Sequence, residues 1–305
     1  MEMERDKDLI EEFRKDLKRR DLSKDTIKLY PLYIKSFYNF TGNRLEIDED
    51  TLTDYLDHLQ ARKNKKSSII RYFNGLSTFY KFLIRKKYIS TTNPIPDFRN
   101  YYLKSLKTPN TSQRRKIISR DEAQKLVESI LEPQPLALIV LLLKTGLRRK
   151  EVCELDISGV NLEDKIIRVK PTGKRSNEIC LFDDETKFVL NEWLRRRDKY
   201  ANNGCHSLFL DKRGNRLGLK SLDILFKKYA IAAGLHTGDE IENAFTPHCC
   251  RHFFTTQLLN RGMPREYVQF LRGDAIKEAV DVYYHIDPIE LRKSYETYIP
   301  PLGLL

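Results

Sequence analysis

Apolar positions recur at helical spacing through the first third of the chain. Leu9, Ile10, Phe13 and Leu17 predict a helix over residues 8–20. Ser23 is placed to cap a second helix carrying Ile27, Tyr30, Ile34, Phe37 and Phe40, and Pro31 inside that stripe is expected to kink it or shift its start. A third helix is expected over residues 50–62. The longest, over 67–87, buries Ile70, Phe73, Leu76, Phe79, Tyr80 and Leu83. Asn93-Pro94 then breaks the chain, and no strand pattern precedes it. Residues 104–118 are polar, contain a proline and show no periodicity, so they read as an exposed linker.

Beyond the linker the pattern changes. Ser119 and Glu122 form a capping box. Residues 134–144 are apolar nearly all round, which predicts a central buried helix. Residues 165–170 and 177–182 read as two short strands around the turn Pro171 to Ser176, a hairpin. Helices are expected over 184–200, 219–233, 248–261, 264–271 and 277–284. The fold class is therefore mainly α. An all-helical N-terminal domain (1–103) and a linker (104–118) precede a mixed α/β domain (119–305) with a small antiparallel sheet.

With 40% apolar and 10% aromatic residues the chain is too rich in core formers to be disordered. Its longest apolar run, Leu136 to Leu143, is far short of the ~20 residues that span a bilayer. The charged N-terminus has no apolar segment of a secretory signal, and five Cys at irregular spacing make no disulfide framework. A reducing, cytoplasmic setting is the expectation, with no membrane partner.

The charge distribution is more telling than the net charge of +12. Residues 61–120 hold 16 Lys and Arg against one acid, Asp97, while the rest of the chain is nearly balanced. Aromatics such as Tyr72, Phe73, Tyr88 and Tyr101 interleave with these charges. A basic surface on a folded helix and its linker points to nucleic-acid phosphates, with steeply salt-dependent binding.

Several chemical motifs are missing. The sequence has no Walker loop and no Gly-x-Gly-x-x-Gly, so no nucleotide cofactor is expected. His248-Cys249-Cys250-Arg251-His252 has the wrong spacing for a metal, because adjacent helical residues diverge by ~100°. These cysteines read as small buried apolar residues. One ordered constellation remains. Thr145-Gly146-Leu147-Arg148 ends the buried helix and leads into Glu151, and Lys174 sits at the hairpin tip. His248 and Arg251 share one helix face. Leu271-Arg272-Gly273-Asp274 follows, and Tyr283 comes nine residues later.

In this order the motifs resemble those of the tyrosine recombinases, the phage-integrase and Xer-type family, and the resemblance covers nearly the whole chain. It extends to Thr26-Ile27-x-x-Tyr30 and the Asn93-Pro94 break in the first half. The resemblance implies a helical core-binding domain followed by a catalytic domain of the DNA breaking-rejoining fold. It implies Arg148 and Arg251 as the two catalytic arginines, Lys174 as the hairpin lysine, His248 as the first active-site histidine, Glu151 as the supporting acid and Tyr283 as the nucleophile. Tyr284 is adjacent, but the family spacing favours Tyr283. The implied activity is cutting and rejoining of double-stranded DNA through a covalent 3′-phosphotyrosine, by a homotetramer on two sites, with host accessory factors among its possible partners. The apolar tail Ile299 to Leu305 would dock either on a neighbouring protomer or on its own domain.

The chemistry agrees with these roles. Two arginines can each present a bidentate fork to the non-bridging oxygens of a pentacoordinate phosphorane. A phenol of pKa ~10 needs a base and a positive field to attack, and a histidine supplies the base. A lysine can protonate the leaving 5′-hydroxyl. Storing the bond energy in the phosphotyrosine removes any need for ATP.

The main departure is Asp274, where the family usually carries His or Trp. An ionised carboxylate there would repel a phosphate, so pairing with Arg272, holding another catalytic side chain, or protonation are the open roles. His252 or His285 are possible substitutes for the missing donor. The Arg-Gly-Asp variant suggests an archaeal or archaeal-virus source. With no further DNA-binding domain before the helical half, a simple Xer-like or minimal integrase is expected. Two alternatives are a nicking-closing enzyme like topoisomerase IB, with the same chemistry and no recombinants, and a DNA-binding regulator whose catalysis has decayed.

Overall fold

A computed structural model describes residues 2–42, 44–106, 116–170, 175–238, 243–274 and 286–305, with side chains from residue 8. Its chain divides into two compact units, Met1–Ser112 and Gln113–Leu305.

Among its described residues the first unit has helices and no strand. Helix α1 spans Glu2–Arg19, α2 Lys24–Thr41, α3 Glu49–Ala61 and α4 Lys66–Arg85. After the Asn93-Pro94 break a short α5, Ile95–Phe98, runs into a π-helical turn, Arg99–Leu103. Ser23 and Asp48 cap α2 and α3 by accepting from the amides of Thr26 (3.2 Å) and Thr51 (2.8 Å). Helix α2 starts at its Ser23 cap and runs on past Pro31 to Thr41, contrary to the expected shift. Proline removes one helical amide, and its ring is buried in the core. The core interlocks aromatic rings, including Phe13 edge-on to Phe79 at 5.0 Å and Phe37 edge-on to Tyr55 at 4.9 Å.

Not all of the basic block is available on this surface. Arg85 pairs with Asp16, and Lys86 with Glu12 at 2.8 Å, so α1 neutralises the end of α4. Arg62, Lys63, Lys65 and Arg71 are exposed around the start of α4.

The second unit is built around α7, Pro133–Thr145, in which Ala137 to Thr145 are all buried. Preceding it, α6 (Arg120–Glu128) carries the Ser119–Glu122 capping box, with bonds of 3.1 and 2.8 Å. Helix α8, Arg149–Cys153, follows directly after α7. Next comes an antiparallel sheet of three strands in the order β1 (Val160–Asn161), β2 (Ile166–Arg168) and β3 (Ile179–Leu181). Ile167 pairs with both Val160 and Cys180. The sequence pattern predicts β2 and β3 but not β1, whose two residues are too few for an alternation. Residues 171–174 at the hairpin tip, Lys174 among them, lie outside the described residues.

Helices α9 (Asp184–Arg197), α10 (Leu219–Ala232), α11 (Pro247–Asn260), α12 (Arg265–Arg272) and α13 (Pro288–Tyr298) complete the unit. Helix α13 was not expected from the apolar pattern. The helix expected over 277–284, with Tyr283, Tyr284 and His285 beside it, lies outside the described residues.

The apolar tail docks on its own unit. Leu302 is fully buried, and the amides of Leu302 and Leu304 donate to the Glu185 carboxylate at 2.8 and 2.9 Å. The same carboxylate binds the buried Lys144 ammonium at 2.6 Å, which also reaches Asp183 and the carbonyl of Pro300 at 2.6 Å each. Among the described residues no helix is long and apolar enough to cross a membrane.

Candidate active site

The site begins where α7 ends. Gly146 takes the left-handed conformation (φ 61°), and its amide bonds back to Leu142 O at 3.2 Å. A Cβ at this position would lie 2.6 Å from the Phe254 ring, so the glycine also lets α11 pack against the end of α7. Two residues on, Arg148 caps α8 in an extended conformation. Its main-chain amide donates to Glu151 Oε2 and its Nη1 to Glu151 Oε1, both at 2.8 Å. Glu151, only 2% exposed, therefore fixes the backbone and the side chain of Arg148 together.

Arg251 arrives from α11, one turn before Phe254, and its side chain is buried. Its Nη1 donates to Gly146 O at 2.7 Å and to Arg272 O at 2.9 Å. Burial first, and then the neighbouring charge of Arg148, draw its pKa down to about 10 against the opposing pull of Asp274, so it stays cationic at neutral pH.

The two guanidiniums converge. Arg148 Nη2 and Arg251 Nη2 both point at Asp274 Oδ1, at 3.1 and 2.6 Å. Asp274 Oδ2 lies 3.1 Å from Arg272 Nε. Of the open roles for Asp274, the geometry shows the ion pair with Arg272, alongside its contacts to Arg148 and Arg251.

The structure brings two more cations to the cluster, Arg175, which the motif reading did not use, and Arg272, which it named only as a partner for Asp274. Arg175, whose side chain is fully buried, donates through Nη1 to Glu151 Oε2 at 3.3 Å and through Nη2 to Asn177 Oδ1 at 2.9 Å. It also lies over Gly273, where a Cβ would come within 2.7 Å of Arg175 Cγ. The Ser176 amide bonds Gly273 O at 3.2 Å, so the root of the hairpin is tied to the end of α12. Arg272 is the second. Arg175 stands next to Lys174 in sequence, which is the only signal that could have singled it out.

Of the sequence-predicted residues, Arg148, Glu151, Arg251 and Asp274 form one contact cluster. His248 lies one turn before Arg251 on α11, exposed, with its ring edge-on to His252 at 5.2 Å. Lys174 and Tyr283 lie outside the described residues. The site therefore contains a focus of converging N–H donors suited to one oxygen of a tetrahedral or trigonal oxyanion. Tyr295, the buried tyrosine of α13, gives its hydroxyl to Lys144 O at 2.9 Å and serves packing.

Such a focus, on a helical scaffold with a small sheet, has the donor chemistry that suits an oxyanion. The chain matches the phage integrase family model over residues 116–290, and the phage integrase N-terminal SAM-like domain over residues 9–90. It belongs to the phage integrase family of tyrosine recombinases, DNA strand-transferring enzymes of site-specific recombination. It is 30% identical over 312 residues to tyrosine recombinase XerD of Listeria innocua, covering 96% of this chain and 99% of the relative. It is 28% identical over 296 residues to tyrosine recombinase XerA of Pyrococcus horikoshii, covering 95% and 93%. The fold is also that of the Tn1549 transposon integrase solved in complex with transposon right end DNA (TM-score 0.70, 17% identity, 90% of this chain and 97% of that one). A lambda integrase dimer bound to a COC′ core site shares it as well (TM-score 0.64, 17% identity, 92% and 97%).

Proposed function

We propose that this chain cuts and rejoins double-stranded DNA by transesterification, with Arg148 and Arg251 seating the scissile phosphate. The observation that carries this reading is the convergence of their Nη2 groups on one oxygen, with each opposite edge anchored by Glu151 or by main-chain carbonyls. Donors fixed in advance stabilise the phosphorane without reorganising during the reaction.

In this mechanism the Tyr283 hydroxyl attacks phosphorus as His248 takes its proton. The P–O5′ bond breaks, and Lys174 protonates the leaving 5′-oxygen. A 3′-phosphotyrosine remains, and attack by a 5′-hydroxyl of the partner strand reverses the step. Glu151 is a positioning residue for Arg148. The exposed Arg62, Lys63, Lys65 and Arg71 follow the duplex backbone. Exchanging strands between two duplexes requires four cuts, which one active site per cut supplies in a homotetramer on two sites. The DNA complexes solved for the Tn1549 and lambda integrases support duplex DNA as the partner.

The test is a suicide-substrate assay. Protein is incubated without metal or ATP with nicked duplexes drawn from the DNA flanking its own gene. A denaturant-resistant protein–DNA band that Tyr283→Phe lacks is the expected result. Tight DNA binding with no band would instead favour a decayed DNA-binding protein.

A further inference from the structure

The place where a phosphate oxygen would sit is filled by a carboxylate. Asp274 Oδ1 takes one hydrogen bond from each arginine of the seat. Resting on the reading of Arg148 and Arg251 as that seat, we infer that Asp274 is a displaceable stand-in for phosphate: it occupies the seat in the DNA-free protein, keeps small anions out, and yields both guanidiniums to the scissile phosphate while staying on Arg272.

Three observations separate this role from a fixed structural one. First, neither arginine needs Asp274 for its orientation. Arg148 Nη1 is held by Glu151 at 2.8 Å, and Arg251 Nη1 by the carbonyls of Gly146 and Arg272 at 2.7 and 2.9 Å. Only the Nη2 groups, the ones facing the focus, depend on Asp274. Second, apart from its contacts with the arginines Asp274 is held only through the backbone turn that ends α12. It follows Gly273, the left-handed residue that ends α12, and its own amide makes a long 3.3 Å bond to Gln269 O. Its side chain is 29% exposed, so water and ligand can reach it. Third, a receiving group is in place. Arg272 Nε is buried without a hydrogen-bond acceptor among the described residues, although Oδ2 lies 3.1 Å away. The pair is close but misaligned, and a side-chain rotation of Asp274 away from the focus can convert it into a hydrogen bond.

The consequence is selectivity. Four arginines, 148, 175, 251 and 272, meet two acids here, Glu151 and Asp274. A free anion must compete with a carboxylate that is covalently part of the site and hence at high effective concentration. A phosphate held in register by a whole duplex carries enough additional contacts to win. Loading of the seat is thereby coupled to correct docking of DNA.

The experiment titrates inorganic phosphate against the melting temperature of the full chain, at ionic strength matched with sodium chloride. Binding to the folded state raises the melting temperature by mass action. Wild type is expected to show no phosphate-specific shift. Asp274→Asn and Asp274→Ser should both show a saturable shift, with apparent affinity at least tenfold tighter than wild type. Adding Arg148→Ala to Asp274→Asn should abolish it. Variants that respond no more than wild type, or a shift that survives Arg148→Ala, would overturn the inference. A carboxylate needed to align the two Nη2 groups predicts instead no gain in phosphate affinity once it is gone. The titration needs no DNA, so its outcome is separable from covalent adduct formation. An adduct without the phosphate effect defeats this inference alone, and the phosphate effect without any adduct defeats the recombinase mechanism.

Discussion

Replacing Glu151 by Gln tests how much of the chemistry depends on holding Arg148 still. The carboxylate accepts three bonds, from Arg148 N and Nη1 at 2.8 Å and from Arg175 Nη1 at 3.3 Å, while 2% exposed. An amide of the same shape offers one acceptor oxygen and turns its NH2 toward a donor. At least one guanidinium bond is therefore lost. A charge-assisted bond is worth about 1.5–3 kcal/mol. Arg148 is 27% exposed, which screens part of this, so the lower half of the range applies. About 1.5–2 kcal/mol of lost transition-state stabilisation corresponds to a roughly 10- to 30-fold slower step. The assay is single-turnover adduct formation on a suicide substrate at saturating protein, with DNA affinity measured alongside. Affinity should change little, because most phosphate contacts lie elsewhere. A Glu151→Gln rate within twofold of wild type would refute the reasoning.

Other consequences follow from the packing and the charge. Neutralising Arg62, Lys63, Lys65 and Arg71 should flatten the salt dependence of DNA binding by about one unit of log–log slope per lost phosphate contact; an unchanged slope would reduce these residues to a solvated face. Lys144→Met strands Asp183 and Glu185 and should cost about 3–5 kcal/mol, or a melting temperature roughly 6–20 °C lower for a unit of this size, with earlier proteolysis of the tail. Burial pushes the Glu185 carboxyl up, but the Lys144 hydrogen bond and the Leu304 and Leu302 amides outweigh it and hold it below its ordinary 4.5. Its contribution is then complete above about pH 4.5 and lost as pH falls through the lower folded value, so an acid-melting series should show less loss in Glu185→Gln. Gly146→Ala meets both the positive φ and the Phe254 ring; about 2–4 kcal/mol of destabilisation is expected in urea unfolding, and a neutral result would contradict the described packing.

Much of the helical framework was legible because its signals are local. The Ser119–Glu122 capping box and the all-round apolar run of α7 each determine an element within a dozen residues. Pro31 does not shift the start of α2, which its Ser23 cap sets, and its ring is buried, which is a tertiary fact. Strand β1 is two residues long and exists through pairing with β2. Helix α13 carries a start signal in Asp287-Pro288 that apolar periodicity alone overlooks, since the helix buries only Leu291 and Tyr295.

The site divides in the same way. Arg148, Glu151 and Arg251 stand out as motif residues, and Glu151 is close enough in sequence to be paired with Arg148 in advance. That Asp274 reaches both arginines depends on the turn at Gly273, and the role of Arg175 depends on the seating of the hairpin root against it. Neither contact has a sequence period to announce it.

The most direct test of the account is to identify the residue that carries the DNA. The trapped adduct would be digested with nuclease and protease, and the nucleotide-bearing peptide sequenced by tandem mass spectrometry. The account predicts a 3′-phosphoryl nucleotide on Tyr283. A nucleotide on Tyr284 or any other residue, or a 5′-phosphoryl linkage, would contradict it.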